Sequence, residues 1–77
     1  MRRKIWYGDV DKCTMCGREI QGEFVDGKLK HGSKWELMCI PCFKRHGCGL
    51  GLGRGQLYKK EEDGVWYKVE RARIPQV

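Results

Sequence analysis

Apolar and polar positions change rhythm several times along the 77 residues, and each change marks an element. The run Glu23-Phe24-Val25-Asp26-Gly27-Lys28-Leu29-Lys30 places two short strand-like arms around Asp26-Gly27, a dipeptide suited to the positive φ angles of a tight hairpin turn. His31-Gly32-Ser33 reads as a second turn. Lys34-Trp35-Glu36-Leu37-Met38 then alternates charged and apolar residues, the period of an extended arm, and leads into Cys39. Over residues 39–46 the alternation stops. Pro41 suits a first helical turn and Gly47 suits a stop, which predicts a short helix. Further on, Leu57-Tyr58-Lys59-Lys60 and Val65-Trp66-Tyr67-Lys68-Val69 flank Glu61-Glu62-Asp63-Gly64, the pattern of a C-terminal hairpin. No heptad, low-complexity linker or repeat beyond two Cys-x-x-Cys pairs interrupts the chain. It reads as one domain over residues 1–77, with basic flexible ends at about 1–4 and 71–77.

Between the helix and the last hairpin, glycine takes every odd position from Gly47 to Gly55. An extended segment of this kind has one bare face, while Cys48, Leu50, Leu52 and Arg54 occupy the other. The expectation is a packed strand with Leu50 and Leu52 buried and the glycine face lying against an internal aromatic ring, or against a partner. A phosphate-cradling loop does not fit, because such glycines follow a strand and open a helix. Cys48, between apolar neighbours, reads as a small core hydrophobe ahead of a ligand or nucleophile.

A chain this short buries too little surface for its core alone to hold it comfortably, so a staple is expected. Five cysteines supply one, and their odd number fits disulfides poorly. Cys13-Thr14-Met15-Cys16-Gly17 has the form of a zinc knuckle, since two intervening residues let both thiolates reach one tetrahedral ion. Cys39-Ile40-Pro41-Cys42 repeats the spacing after a gap that a β-hairpin would span. Cys13, Cys16, Cys39 and Cys42 are therefore the predicted ligands of one structural Zn²⁺. Buried thiols or redox Cys-x-x-Cys pairs are the alternatives, although thioredoxin-type chemistry needs a βαβ frame that this chain cannot contain. His46, four residues after Cys42, could replace a cysteine, and otherwise complements the helix dipole; His31 sits in a turn and reads as exposed. Knuckle, hairpin and ligand-bearing helix give the expected fold class: a small zinc-stabilised α+β domain, treble-clef-like, with a C-terminal β-hairpin. A zinc ribbon, whose second knuckle ends in a turn, is the competing architecture.

Charge changes this picture less than its total suggests. The formal net charge is +6, but without Arg2, Arg3, Lys4, Arg71 and Arg73 the chain carries eleven basic against ten acidic side chains. Four thiolates and a divalent ion lower the holo total further, to about +4. One local feature remains: no acidic residue lies between positions 37 and 60, where Lys44, Arg45, Arg54, Lys59 and Lys60 stand. These five are the candidate nucleic-acid-binding residues. The aromatics Trp6, Trp35, Trp66, Tyr7, Tyr58 and Tyr67 should be mostly core; Trp66 and Tyr67, adjacent in a strand, must face opposite ways, which makes one of them a candidate exposed ring.

From Cys13 to about Val69 the chain resembles small zinc-finger proteins of bacteriophages and related mobile elements. The likeness rests on Cys13-x-x-Cys16-Gly17, Gly22-Glu23-Phe24-Val25-Asp26, Trp35 with Met38-Cys39-x-x-Cys42-Phe43, and Gly47-x-Gly49-Leu50-Gly51-x-Gly53-x-Gly55-Gln56-x-Tyr58. In such proteins the position of Cys48 is commonly valine, which implies an apolar role. The resemblance implies zinc binding and a small-genome context rather than a particular activity.

Two functions follow as expectations: a non-enzymatic zinc-finger module that binds nucleic acid through a basic helix and Gly-rich surface, or a protein-binding adaptor or inhibitor of a host protein. No catalytic residues are predicted, because Ser33 is the only serine, four protein ligands close the metal, and no carboxylate pair is placed for acid–base work. The basic first residues are not followed by the apolar run of a secretory signal, and nothing approaches a membrane span, so the expected location is a reducing cytoplasm.

Overall fold

A computed structural model describes residues 4–32, 34–51 and 53–69. Its elements are β1 (Glu23–Lys28), β2 (Trp35–Met38), α1 (Ile40–His46), β3 (Gly55–Lys60) and β4 (Trp66–Lys68). The four strands form one antiparallel sheet in the order β2-β1-β3-β4. This is an α+β architecture with a single helix among the described residues, and none of these helical residues forms a stretch long and apolar enough to cross a membrane. The basic ends 1–3 and 71–77 lie outside the described residues, as do Ser33 and Leu52.

Strand alternation gives the sheet two unlike faces. On one, Val25 pairs with Met38 and Leu57, all buried, and Phe43 of α1 joins the same core. The other carries Phe24 and Tyr58, stacked with centroids 5.3 Å apart, and Trp66, edge-on to Phe24 at 5.1 Å. Residues before the knuckle complete this second layer. The Trp6 N–H donates to the Trp66 carbonyl, Ile5 bridges Tyr67, and the Trp6 ring stands edge-on over Phe24 and Tyr58.

The first hairpin differs from the sequence expectation. Asp26-Gly27 lies in the middle of β1, and the chain reverses only beyond Lys28, where the Leu29 N–H donates to the Lys34 carbonyl at 3.1 Å. The reason is tertiary: Gly27 sits opposite Gly55 on one side and Glu36 on the other, and a Cβ there would lie 3.3 Å from the Arg54 carbonyl oxygen. A close approach of backbones, not a positive φ, is what requires this glycine.

The Gly-rich segment departs from expectation as well. Gly49, Gly51 and Gly53 have positive φ, so the chain winds instead of running as a strand. Gly47 lies beneath a ring, where a Cβ would clash with the Phe43 ring and carbonyl. Gly55 is covered by backbone, its Cβ position lying 2.9 Å from the Gly49 carbonyl oxygen. Leu50 packs half-buried against the core. The C-terminal hairpin forms as expected, with β3 reaching back to Gly55. Asp63 holds its turn by accepting from the Val65 N–H at 2.9 Å and from the Tyr67 hydroxyl at 2.7 Å.

Candidate metal centre

Two local structures bring the four cysteines together. The first is the turn at residues 13–17, in which the Gly17 N–H donates to the Cys13 carbonyl and the Cys13 N–H to the Arg18 carbonyl. The Met15 N–H points back to Cys13 Sγ at 3.4 Å, a donor arrangement that favours a thiolate. Thr14 fixes this turn to the sheet, because both its N–H and its hydroxyl donate to the Leu37 carbonyl, at 2.9 and 3.0 Å. That anchor lies on the edge strand two residues before Cys39, so it positions one pair of ligands against the other. Nothing in the spacing of the cysteines pointed to Thr14.

The second local structure is the start of α1. Cys39 is the N-cap residue, Pro41 lies in the first turn, and Cys42 follows within the helix, buried beside Phe43. The second pair therefore opens a helix, and a turn-terminated second knuckle is not what this chain forms. Gly47 is the C-cap, yet its φ of −83° is ordinary. Its lack of a side chain serves the Phe43 contact, not a left-handed stop.

Four sulfur atoms result, from Cys13, Cys16, Cys39 and Cys42, all within 4.8 Å of one another. Cys16 Sγ and Cys39 Sγ are 3.8 Å apart. A tetrahedral ion with metal–sulfur bonds of about 2.3 Å separates its thiolates by about 3.8 Å, so the cluster can hold one metal ion and is compatible with zinc. Three of the cysteines are buried and Cys16 is exposed, which places such an ion beneath the surface with one ligand at the solvent boundary.

The electrostatics favour a cation. Burial pushes the Cys13 thiol up, but donors from the Cys39, Cys16 and Met15 backbones and the Cys42 thiol outweigh it and bring Cys13 down to about 6. Cys42 is shifted the other way, by burial first and then by hydrogen bonds with the Cys39, Cys13 and Cys16 sulfurs. Burial likewise raises Cys39. Cys13 thus ionises readily while Cys39 and Cys42 resist, and a divalent ion is the group that lets clustered thiolates carry charge together.

The remaining candidates lie elsewhere. Cys48 is outside the cluster; its thiol donates to the Leu29 carbonyl at 3.1 Å, joining the segment after α1 to the end of β1. His46 and His31 are exposed. Lys44 and Arg45 are exposed on the last turn of α1, and Arg54 is exposed in the glycine loop. Lys59 and Lys60 are neighbours in β3 and project to opposite faces: Lys59 pairs with Glu23 and Tyr67, whereas Lys60 lies 5.9 Å from the Trp66 ring centroid. Trp66 and Tyr67 do face opposite ways, but both are half-buried. The exposed rings are Tyr7 and Trp35, at 84 % and 42 % exposure. A scan against family models, a search of curated proteins and a search of solved structures each found no match, so function is read from this chain's own residues.

Proposed function

We propose that the chain is a non-enzymatic zinc-finger module that binds nucleic acid. The observation that carries the reading is the placement of Lys44 and Arg45. Both are exposed on the helix whose first residues supply Cys39 and Cys42, in a stretch of chain from 37 to 60 that holds no carboxylate. A metal that fixes the helix also fixes its cations, and preorganised cations meet phosphates at a lower entropic cost. Zinc is the ion proposed, as the tetrahedral four-thiolate set suits it. The order of knuckle, hairpin and ligand-bearing helix supports a treble-clef description. Four protein ligands leave the metal no open position, which supports a structural role and not a catalytic one.

A second reading, a protein-binding adaptor, is favoured by one observation. Tyr7 stands 84 % exposed beside a groove lined by Ile5, Trp6, Val65 and Trp66, the residue types that anchor protein interfaces. The test separates the two. Zinc-loaded protein is titrated into labelled DNA and RNA, single-stranded and duplex, over a range of salt. The nucleic-acid reading expects affinity that falls steeply with salt and a double Lys44→Ala, Arg45→Ala variant that binds more weakly at unchanged Tm. No salt-sensitive binding by the wild type ends that reading and leaves the adaptor.

A further inference from the structure

The two faces of the sheet differ in charge as well as in packing. On the face toward the core of Val25, Met38 and Leu57, the charged strand residues are Glu23, Glu36 and Lys59. The opposite face carries Lys28 in β1, Lys60 in β3 and Lys68 in β4, with Asp26 as the one carboxylate among its described strand residues. Lys4 joins them, since the Lys68 N–H donates to its carbonyl and its Nζ donates to Gln56 Oε1 at 3.1 Å. Apart from Tyr67, which shares the face of Lys59, the strand aromatics are segregated in the same sense. Phe24, Tyr58, Trp66, Trp6 and Trp35 all belong to the lysine face.

Trp6 covers only the part of this face over Phe24 and Tyr58. Toward the other end of the strands the described residues leave the face partly exposed. Trp35 lies there directly across from Lys28, 42 % exposed, with Leu37, Asp26 and Gln56 half-buried beside it and Lys4 exposed beyond. An exposed indole with an ammonium opposite it, on a sheet face whose net charge is positive, is complementary to an anionic polymer with free π faces. A duplex hides those faces within its stack; a single strand offers them.

We infer that the open end of the lysine face is a binding surface for single-stranded nucleic acid, in which a base stacks on Trp35 while Lys28 and Lys4 meet the flanking phosphates. The inference rests on the nucleic-acid reading above and assigns the bases to the lysine-bearing face of the sheet. Gln56 and Asp26 lie between the cations, where amide and carboxylate groups can contact base edges.

Fluorescence anisotropy with a labelled oligo-dT or oligo-U of about twelve nucleotides, within the range one small domain covers, tests it on the zinc-loaded protein. Trp35→Ala should weaken binding about tenfold or more, and Trp35→Phe, which keeps a ring, should retain most of it. Lys28→Ala should lower the slope of log affinity against log salt by about 0.7, the value for one phosphate contact on a single strand. Thermal melting of each variant checks that it is folded. Wild-type binding that survives Trp35→Ala and Lys28→Ala but is lost in the Lys44→Ala, Arg45→Ala variant overturns the sheet site and keeps the proposed function. Tighter binding of duplex than of single strand also overturns the sheet site. Absence of binding to any nucleic acid removes both.

Discussion

Helix α1 is held at its two ends by different physics. At the first, Cys39 and Cys42 belong to a four-sulfur cluster that can hold one metal ion, an attachment on which ions and protons can act. At the second, the Lys30 N–H donates to the His46 carbonyl at 2.7 Å, Leu29 bridges Gly47, and no side chain fits between Gly47 and the Phe43 ring; the attachment depends on backbone hydrogen bonds and close packing and on no ion. A seven-residue helix is too short to persist by itself, so neither end is dispensable, and solution conditions should act on them separately. The metal end can be released reversibly without changing a residue. The glycine end can be released only by mutation.

The largest effect should come from the metal end. Replacing Cys13, Cys16, Cys39 or Cys42 by serine, or treating the protein with a strong chelator, should abolish the cooperative thermal transition, because the binding energy of such a site is folding energy. Metal analysis should give one ion per chain, and Cys48→Val should retain it, since that thiol makes its contact with the Leu29 carbonyl. A chelator that leaves the melting curve unchanged would show that the glycine end suffices.

Gly47→Ala should rank next. The backbone there tolerates any residue, so the cost is steric, from a methyl group driven into the Phe43 ring and carbonyl, about 1–3 kcal/mol. Metal content should stay at one ion per chain while the midpoint of denaturant unfolding falls. An alanine variant as stable as the wild type would mean that the ring has room to move.

The smallest effect concerns pH. Acid protonates thiolates and loosens the metal end. Asp26, on the opposite face of the sheet, acts in the other direction: burial raises its carboxyl above the ordinary 3.8, opposed by the nearby Lys4 ammonium. The folded state holds this proton more tightly than the unfolded chain does. Its contribution to stability is therefore complete below the unfolded value and is lost as pH rises through the folded one. Asp26→Asn should remove that loss, so the stability of the variant relative to wild type should increase from acid toward neutral pH. A difference that stays flat across this window would show that Asp26 ionises without cost.

The clustering cysteines were legible because their pairing is a matter of short-range spacing. Cys13 with Cys16, and Cys39 with Cys42, each lie within one turn, and a local conformation suffices to converge two sulfurs. The helix at 40–46 and the hairpin around Glu61-Glu62-Asp63-Gly64 were legible for the same reason, with Pro41 and the turn residues acting on their immediate neighbours. Asp26-Gly27 misled because the dipeptide has the same local preference in a turn as in isolation, whereas its place is decided by β3, which arrives some thirty residues later and needs a bare backbone opposite Gly55. The alternating glycines misled similarly: alternation describes a strand, but Gly49 and Gly51 are bent to bring the chain back over Gly27 and Gly55.

Near-neighbour contacts alone thus account for the two cysteine pairs, the helix that carries one of them and the hairpin at the end of the chain. Which side chains share a face was settled by the folded arrangement of distant segments. Strand register sent Lys59 and Lys60 apart, brought Lys28 opposite Trp35, and gathered Phe24, Trp35, Tyr58 and Trp66 on one face while sending Tyr67 to the other. Register is a long-range property, fixed by how hydrophobic faces and close backbone contacts are satisfied across strands distant in sequence, and a one-residue slip would exchange the two faces entirely.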